Sequence, residues 1–124
     1  SVLDPVALML NTDFKPNQEM TRNPSNTTIG VVITNATLTK EQTNRLAMLG
    51  QDGIALAVRP SHMMSDGDVI FAAATGSDSE SLNQRDFIRL CVAATEVVAS
   101  AIVRGVTKAK GLGGVPSVEE LGVV

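Results

Sequence analysis

The chain has 124 residues, 44% of them hydrophobic and 19% charged, with a net charge of −3 and a pI ≈ 5.0. Such a length and apolar content support one domain built around a single core. The acidic balance, the ten scattered Lys/Arg and the lack of Trp and Tyr exclude a basic, stacking nucleic-acid face, and no apolar run is long enough for a membrane-spanning helix.

Val2 to Leu10 is a short apolar segment after Asp4-Pro5, readable as a helical turn or a strand. Residues 11–26 are rich in Asn, Thr and Pro and are expected to be loop, a natural place for an exposed scissile bond. Ile29, Val31, Val32 and Ile33 form a nearly continuous apolar run over 28–34, the pattern of a strand covered on both faces. Gly30 inside it suggests close approach of another backbone. Thr39 followed by Gln42 has the spacing of a helix capping box, and Leu46, Leu49, Ile54 and Ala57 supply the apolar stripe behind it. Pro60 stops this helix by Val58 or Arg59.

Residues 61–68 read as loop, and Val69 to Ala74 as a second buried strand. From Asn83 to Arg104, the positions Phe87, Leu90, Cys91, Ala94, Val97, Val98, Ala101 and Ile102 predict a long amphipathic helix, with Gly105 as its cap. Gly111 to Val124 is glycine-rich and is expected to be an extended tail packed on a partner, or disordered. Strand–helix–strand–helix implies an α/β fold with helices covering a sheet. Two strands make too small a sheet to close such a core, so further strands are expected from elsewhere.

Cys91 is the single cysteine, which excludes an internal disulfide and fits a reducing, cytoplasmic setting. Its apolar helical surroundings read as a packed thiol. No Cys/His cluster has metal spacing and His62 stands alone, so neither metal nor cofactor is expected.

The chemistry lies in two short stretches. Pro24-Ser25-Asn26-Thr27 places a hydroxyl directly after an asparagine at the mouth of the first strand. Attack of the Thr27 hydroxyl on the Asn26 carbonyl would form an ester by N-to-O shift. Hydrolysis would then leave Thr27 as a new N-terminus. Its α-amine, of ordinary pKa about 7.7–8.0, can serve as base for its own hydroxyl. The second stretch, Ser65-Asp66-Gly67-Asp68, holds two carboxylates just before the second strand. Taken singly, each is also readable as structure: a turn residue before a strand-starting threonine, and a polar turn before a strand.

The combined order is more specific. Asn26-Thr27-Thr28-Ile29-Gly30-Val31-Val32, Thr34-Asn35-Ala36, Leu38-Thr39-Lys40, Arg45-Leu46-Ala47, Asp52-Gly53, Ala57-Val58-Arg59-Pro60, His62, Asp66-Gly67-Asp68 and Phe71-Ala72-Ala73-Ala74-Thr75-Gly76 follow one another along the chain. Over residues 24–105 this resembles the C-terminal region of the D-aminopeptidase-like peptidases, most of all their nylon-oligomer hydrolase branch. Those are N-terminal-nucleophile hydrolases whose precursor cuts itself before the nucleophile.

The resemblance implies that cleavage falls between Asn26 and Thr27. Residues 1–26 would then be the end of an upstream α segment with its processing loop, and 27–124 the nucleophile-bearing β segment. Thr27 becomes the nucleophile, with Asp66 and Asp68 orienting and polarising it and Asp68 the direct partner. A related branch uses a Ser nucleophile and Ser-Gly-Asp in the second stretch, so Thr27 with two aspartates matches the nylon-oligomer branch. A lysine, an asparagine side chain and the oxyanion donors are implied in the upstream segment, leaving half a site here.

The implied fold is a four-layer αββα sandwich, assembled as a homo-oligomer of αβ units with a tetramer favoured. The implied partners are the upstream α segment and a small amide or peptide substrate, with no nucleic acid or membrane. Cleavage of D-amino-acid or β-peptides, acyl transfer of the ornithine acetyltransferase type, and a non-enzymatic assembly subunit are the other readings. The ornithine acetyltransferases cut in a Met-Ala-Thr context, which Ser25-Asn26-Thr27 lacks. An N-terminal threonine carries its own base, so His62 is expected to be dispensable for chemistry.

Overall fold

The computed structural model describes residues 4–13, 15, 27–78 and 80–122. The order is α1 (Pro5–Leu10), β1 (Ile29–Thr34), α2 (Lys40–Ala57), β2 (Val69–Ala74) and α3 (Gln84–Lys108). The two strands pair in parallel, Ile29 opposite Val69 through Thr34 opposite Ala74. Helix α2 is the crossover that a parallel pair requires.

Local chemistry sets most boundaries. Asp4 caps α1 by accepting the Val6 amide at 3.0 Å, with Pro5 in the first turn, where its missing N–H does no harm. The expected capping box opens α2: Thr39 Oγ1 accepts the Gln42 amide and Gln42 Oε1 accepts the Thr39 amide. The helix ends at Ala57 with Val58 as its cap, as the coming Pro60 dictates.

Helix α3 runs four residues past the expected stop. Gly105 lies inside it and Ala109 caps it. A glycine in a helix interior costs only about 1 kcal/mol relative to alanine, too little to end a 25-residue helix. The tail after it also departs from expectation. Leu112 and Val115 pair across Gly113 and Gly114, both in the left-handed region, and Ser117 is buried.

Both long helices lie on one face of the sheet. Leu46, Cys91 and Ala94 form one core cluster, packed against by Val32, Leu38, Leu49, Ala72, Phe87 and Leu90. Ile54, Ile70 and Val98 form the other. Leu46 and Ile54 have no exposed surface, and each such burial is worth about 1.5–3 kcal/mol. Cys91 is buried as expected, but Val97 and Ala101 of the predicted stripe are exposed, so the buried face of α3 is narrower than the pattern suggested.

The helices touch closely at Gly53. A Cβ there would lie 2.5 Å from the Thr95 carbonyl oxygen and 2.8 Å from Val98 Cβ. Thr95 Oγ1 fastens the crossing by donating to the Leu49 carbonyl at 2.7 Å. At Gly30 the near neighbour is the Ile70 side chain, not the backbone that the sequence suggested.

The opposite sheet face is bare within the described residues. Ile29 (71% exposed), Val31 (59%), Ile33 (67%) and Phe71 (59%) stand on it, in register across the pair. The expected cover on both faces is thus met on one only. The described fold is a mixed α/β layer with an open apolar side.

Candidate active site

Parallel strands place their first residues side by side. Thr27 and Thr28 lead into β1, while Gly67 and Asp68 lead into β2. The Thr28 amide donates to Asp68 Oδ1 at 2.8 Å, joining positions forty residues apart. The Val69 amide continues the ladder onto the Thr28 carbonyl at 2.9 Å. Asp68 is therefore fixed to the residue directly after Thr27, with a side chain only 8% exposed.

Thr27 is exposed, and its hydroxyl faces Gly67. A Cβ at position 67 would stand 2.7 Å from Thr27 Oγ1, so the loop needs glycine to leave room for that oxygen. The two predicted carboxylates have different surroundings. Asp68 turns to β1, whereas Asp66 Oδ2 accepts the Met63 amide at 2.9 Å and the Asp66 amide donates to the Met63 carbonyl. Asp66 thus closes its own loop. Asn26, the other half of the expected scissile bond, lies outside the described residues.

His62 is nearer the site than its isolation in the sequence suggested. Its backbone is left-handed (φ 57°), an uncommon conformation for a residue with a Cβ. Its Nδ1 sits 3.5 Å from Asp68 Oδ2, and its side chain is 37% exposed. It meets the carboxylate, and no bond between it and Thr27 occurs among the described residues.

Gln51 was not legible as a site residue. It extends from α2 to the mouth of β2, where Nε2 donates to the Asp68 carbonyl at 3.2 Å and Oε1 accepts the Ile70 amide at 3.0 Å. The one signal was a long polar residue beside Gly50 and Gly53 on the buried side of the helix. Among the described residues no group of three His, Cys, Asp or Glu could hold a metal, and no helix is long and apolar enough to cross a membrane.

Residues 5–119 match the profile of peptidase family S58. The chain belongs to that family.

An uncharacterized aminopeptidase of Mycobacterium leprae is 36% identical over 102 residues, covering 74% of this chain and 28% of its own length. An uncharacterized aminopeptidase of Mycobacterium tuberculosis is 33% identical over 108 residues, covering 79% and 31%. This S58 chain thus spans less than a third of the length of the curated relatives it matches. The span shared with the family contains Thr27, Gln51, Gly67 and Asp68.

Proposed function

We propose that this chain is the nucleophile-bearing part of a self-processing S58 amide and peptide hydrolase, with Thr27 as nucleophile. The observation that carries this reading is the junction at the strand mouths: Thr28 N–H bonded to Asp68 Oδ1, with Thr27 Oγ1 against Gly67. It fixes the backbone on one side of the hydroxyl while Thr27 itself stays exposed, as a positioned nucleophile requires.

In processing, Thr27 Oγ bonds to the Asn26 carbonyl carbon while the Asn26–Thr27 C–N bond breaks. The Thr27 nitrogen takes up a proton and becomes an α-amine, and water then hydrolyses the ester. In turnover, that amine accepts the hydroxyl proton as Oγ attacks the substrate carbonyl. The proton passes to the leaving amine, and water releases the acyl group from Thr27. Asp68 orients the backbone that carries the nucleophile. It also assists proton relay, whereas Asp66, closed on Met63, shapes the loop. The β-methyl of threonine restricts its rotamer, which suits a nucleophile that must be held rigidly.

The relatives' printed names favour an aminopeptidase. The match of Thr27 with Asp66-Gly67-Asp68 to the nylon-oligomer branch favours linear amides with a flexible chain. Short peptides and linear ω-amino-acid oligomers are therefore the proposed substrates. The bare apolar sheet face supports the four-layer αββα arrangement: four exposed large side chains in register are what a second sheet would cover. That sheet, the upstream α segment and assembly into a homo-oligomer of αβ units, a tetramer favoured, belong to the same proposal. So does the division of the chain at residues 26 and 27.

N-terminal sequencing and intact mass of the full-length protein test the reading. Active preparations are expected to contain a polypeptide beginning at Thr27, and Thr27→Ala to remain uncut and inactive. An active preparation with an intact Asn26–Thr27 bond refutes it. Uncut, inactive wild-type protein would instead favour an assembly subunit. Release of product only when an amine acceptor is added would favour acyl transfer.

A further inference from the structure

We infer that Gln51 is a positioning residue for this site, its carboxamide standing in for the peptide of a neighbouring strand and holding Asp68 at the height of the nucleophile. The inference rests on the proposed role of Thr27 and deepens it.

The geometry follows from ladder polarity. The Val69 amide points to β1, where it meets the Thr28 carbonyl. The Ile70 amide and the Asp68 carbonyl must therefore point to the other edge of β2, since backbone groups alternate sides along a strand. Among the described residues no strand lies on that edge. Gln51 reaches it from α2, accepting from Ile70 N at 3.0 Å and donating to Asp68 O at 3.2 Å. One side-chain amide thereby makes the two bonds that a residue of a parallel strand opposite Val69 would make.

Asp68 is consequently held from both edges. Its carboxylate is tied to Thr28 on the β1 side and its carbonyl to Gln51 on the other. Gln51 Nε2 also lies 3.4 Å from His62 Nδ1, which in turn lies 3.5 Å from Asp68 Oδ2. Three groups thus converge on one aspartate, and only Gln51 sits on a rigid 18-residue helix packed into the core. A carboxylate on a loop is placed reproducibly when a rigid element holds its backbone, and displacement of about 1 Å at a reacting centre can lower a rate by roughly 10²-fold.

Full-length protein carrying Gln51→Met decides the matter, because methionine keeps the length and bulk of the side chain and removes both hydrogen bonds. The expected result is a loss of about 10- to 100-fold in the rate of cleavage before Thr27, followed by intact mass, and in kcat on amino-acid p-nitroanilides. KM should stay within about threefold, while the unfolding temperature falls by several degrees because the Ile70 amide and the Asp68 carbonyl lose their partner. A lowered unfolding temperature with kcat per folded molecule unchanged would mean that Gln51 only stabilises the edge, and overturns the inference. So does full activity.

Should Gln51→Met fail to fold, Gln51→Glu takes its place. It keeps the acceptor for Ile70 N and replaces the donor to Asp68 with a carboxylate, so the same kcat loss is expected and normal kcat refutes. Thr27→Ala, run alongside, separates the two levels. Activity in Thr27→Ala sinks the nucleophile assignment itself, whereas dead Thr27→Ala with normal Gln51 variants sinks only the role of Gln51.

Discussion

Replacing Gly67 with alanine should leave the fold intact and disable the reaction. The added Cβ would stand 2.7 Å from Thr27 Oγ1, 3.6 Å from its Cγ2 and 3.7 Å from its Cβ. The first of these is well inside the roughly 3.5–4.0 Å of comfortable non-bonded contact. Gly67 is not among the glycines with positive φ, so alanine fits the backbone there. Restricting the unfolded chain contributes about 0.4–1 kcal/mol in favour of the variant. Turning the Thr27 side chain off its rotamer to relieve the contact costs about 0.5–1.5 kcal/mol.

These terms nearly cancel, so the unfolding free energy should shift by no more than about 1 kcal/mol. The hydroxyl, however, must move by something near 1 Å, for which a loss of about 10²-fold is expected. Urea unfolding reports the first quantity. Intact-mass kinetics of cleavage before Thr27 and hydrolysis of an amino-acid p-nitroanilide report the second. Normal stability together with processing and turnover within twofold of wild type would show that the hydroxyl beside Gly67 is not the reacting atom.

Other substitutions separate the roles around it. Asp68→Ala should lower activity by about 10²–10⁴-fold and Asp66→Ala by less, because Asp68 bonds the residue after the nucleophile while Asp66 bonds its own loop; steady-state rates in which Asp66→Ala is the worse would reverse the assignment. Gly53→Ala should cost about 1–3 kcal/mol in urea unfolding, since its Cβ would drive against the Thr95 backbone and push α2 from α3; an unchanged midpoint would place the helix contact elsewhere. Burial pushes the Cys91 thiol up, outweighing the opposite pull of Arg45, so the folded state holds the proton more tightly than the unfolded chain. The corresponding stability is present below the ordinary thiol range and lost as pH rises through the elevated folded value. Iodoacetamide should therefore modify Cys91 far more slowly in native than in urea-unfolded protein, and equal rates would contradict the burial.

Periodicity and capping made the main elements readable in advance. The Thr39/Gln42 box and Pro60 bracket α2 because both act within a few residues of the helix ends they control. The apolar runs at 29–34 and 69–74 identify strands for the same local reason. Local signals were weaker where several small preferences compete, as at Gly105 inside α3 and in the turns after Gly111.

For the site, the sequence supplied chemical types and order: a hydroxyl after Asn26, two carboxylates around Gly67, and a lone histidine. It did not assign their partners. That Asp68 reaches Thr28 depends on the parallel register of β1 and β2, a relation between segments forty residues apart, whereas Asp66 turns back on Met63 within its own loop. Gln51 became visible only through the edge of β2 that carries no strand among the described residues, since a polar residue beside a helix stripe gives no sign of the carbonyl and amide it will meet. Local propensity acts over a few residues and leaves its mark in the sequence. The meeting of two strand mouths and one helix is set by packing across the whole core, and so it was decided only in the folded chain.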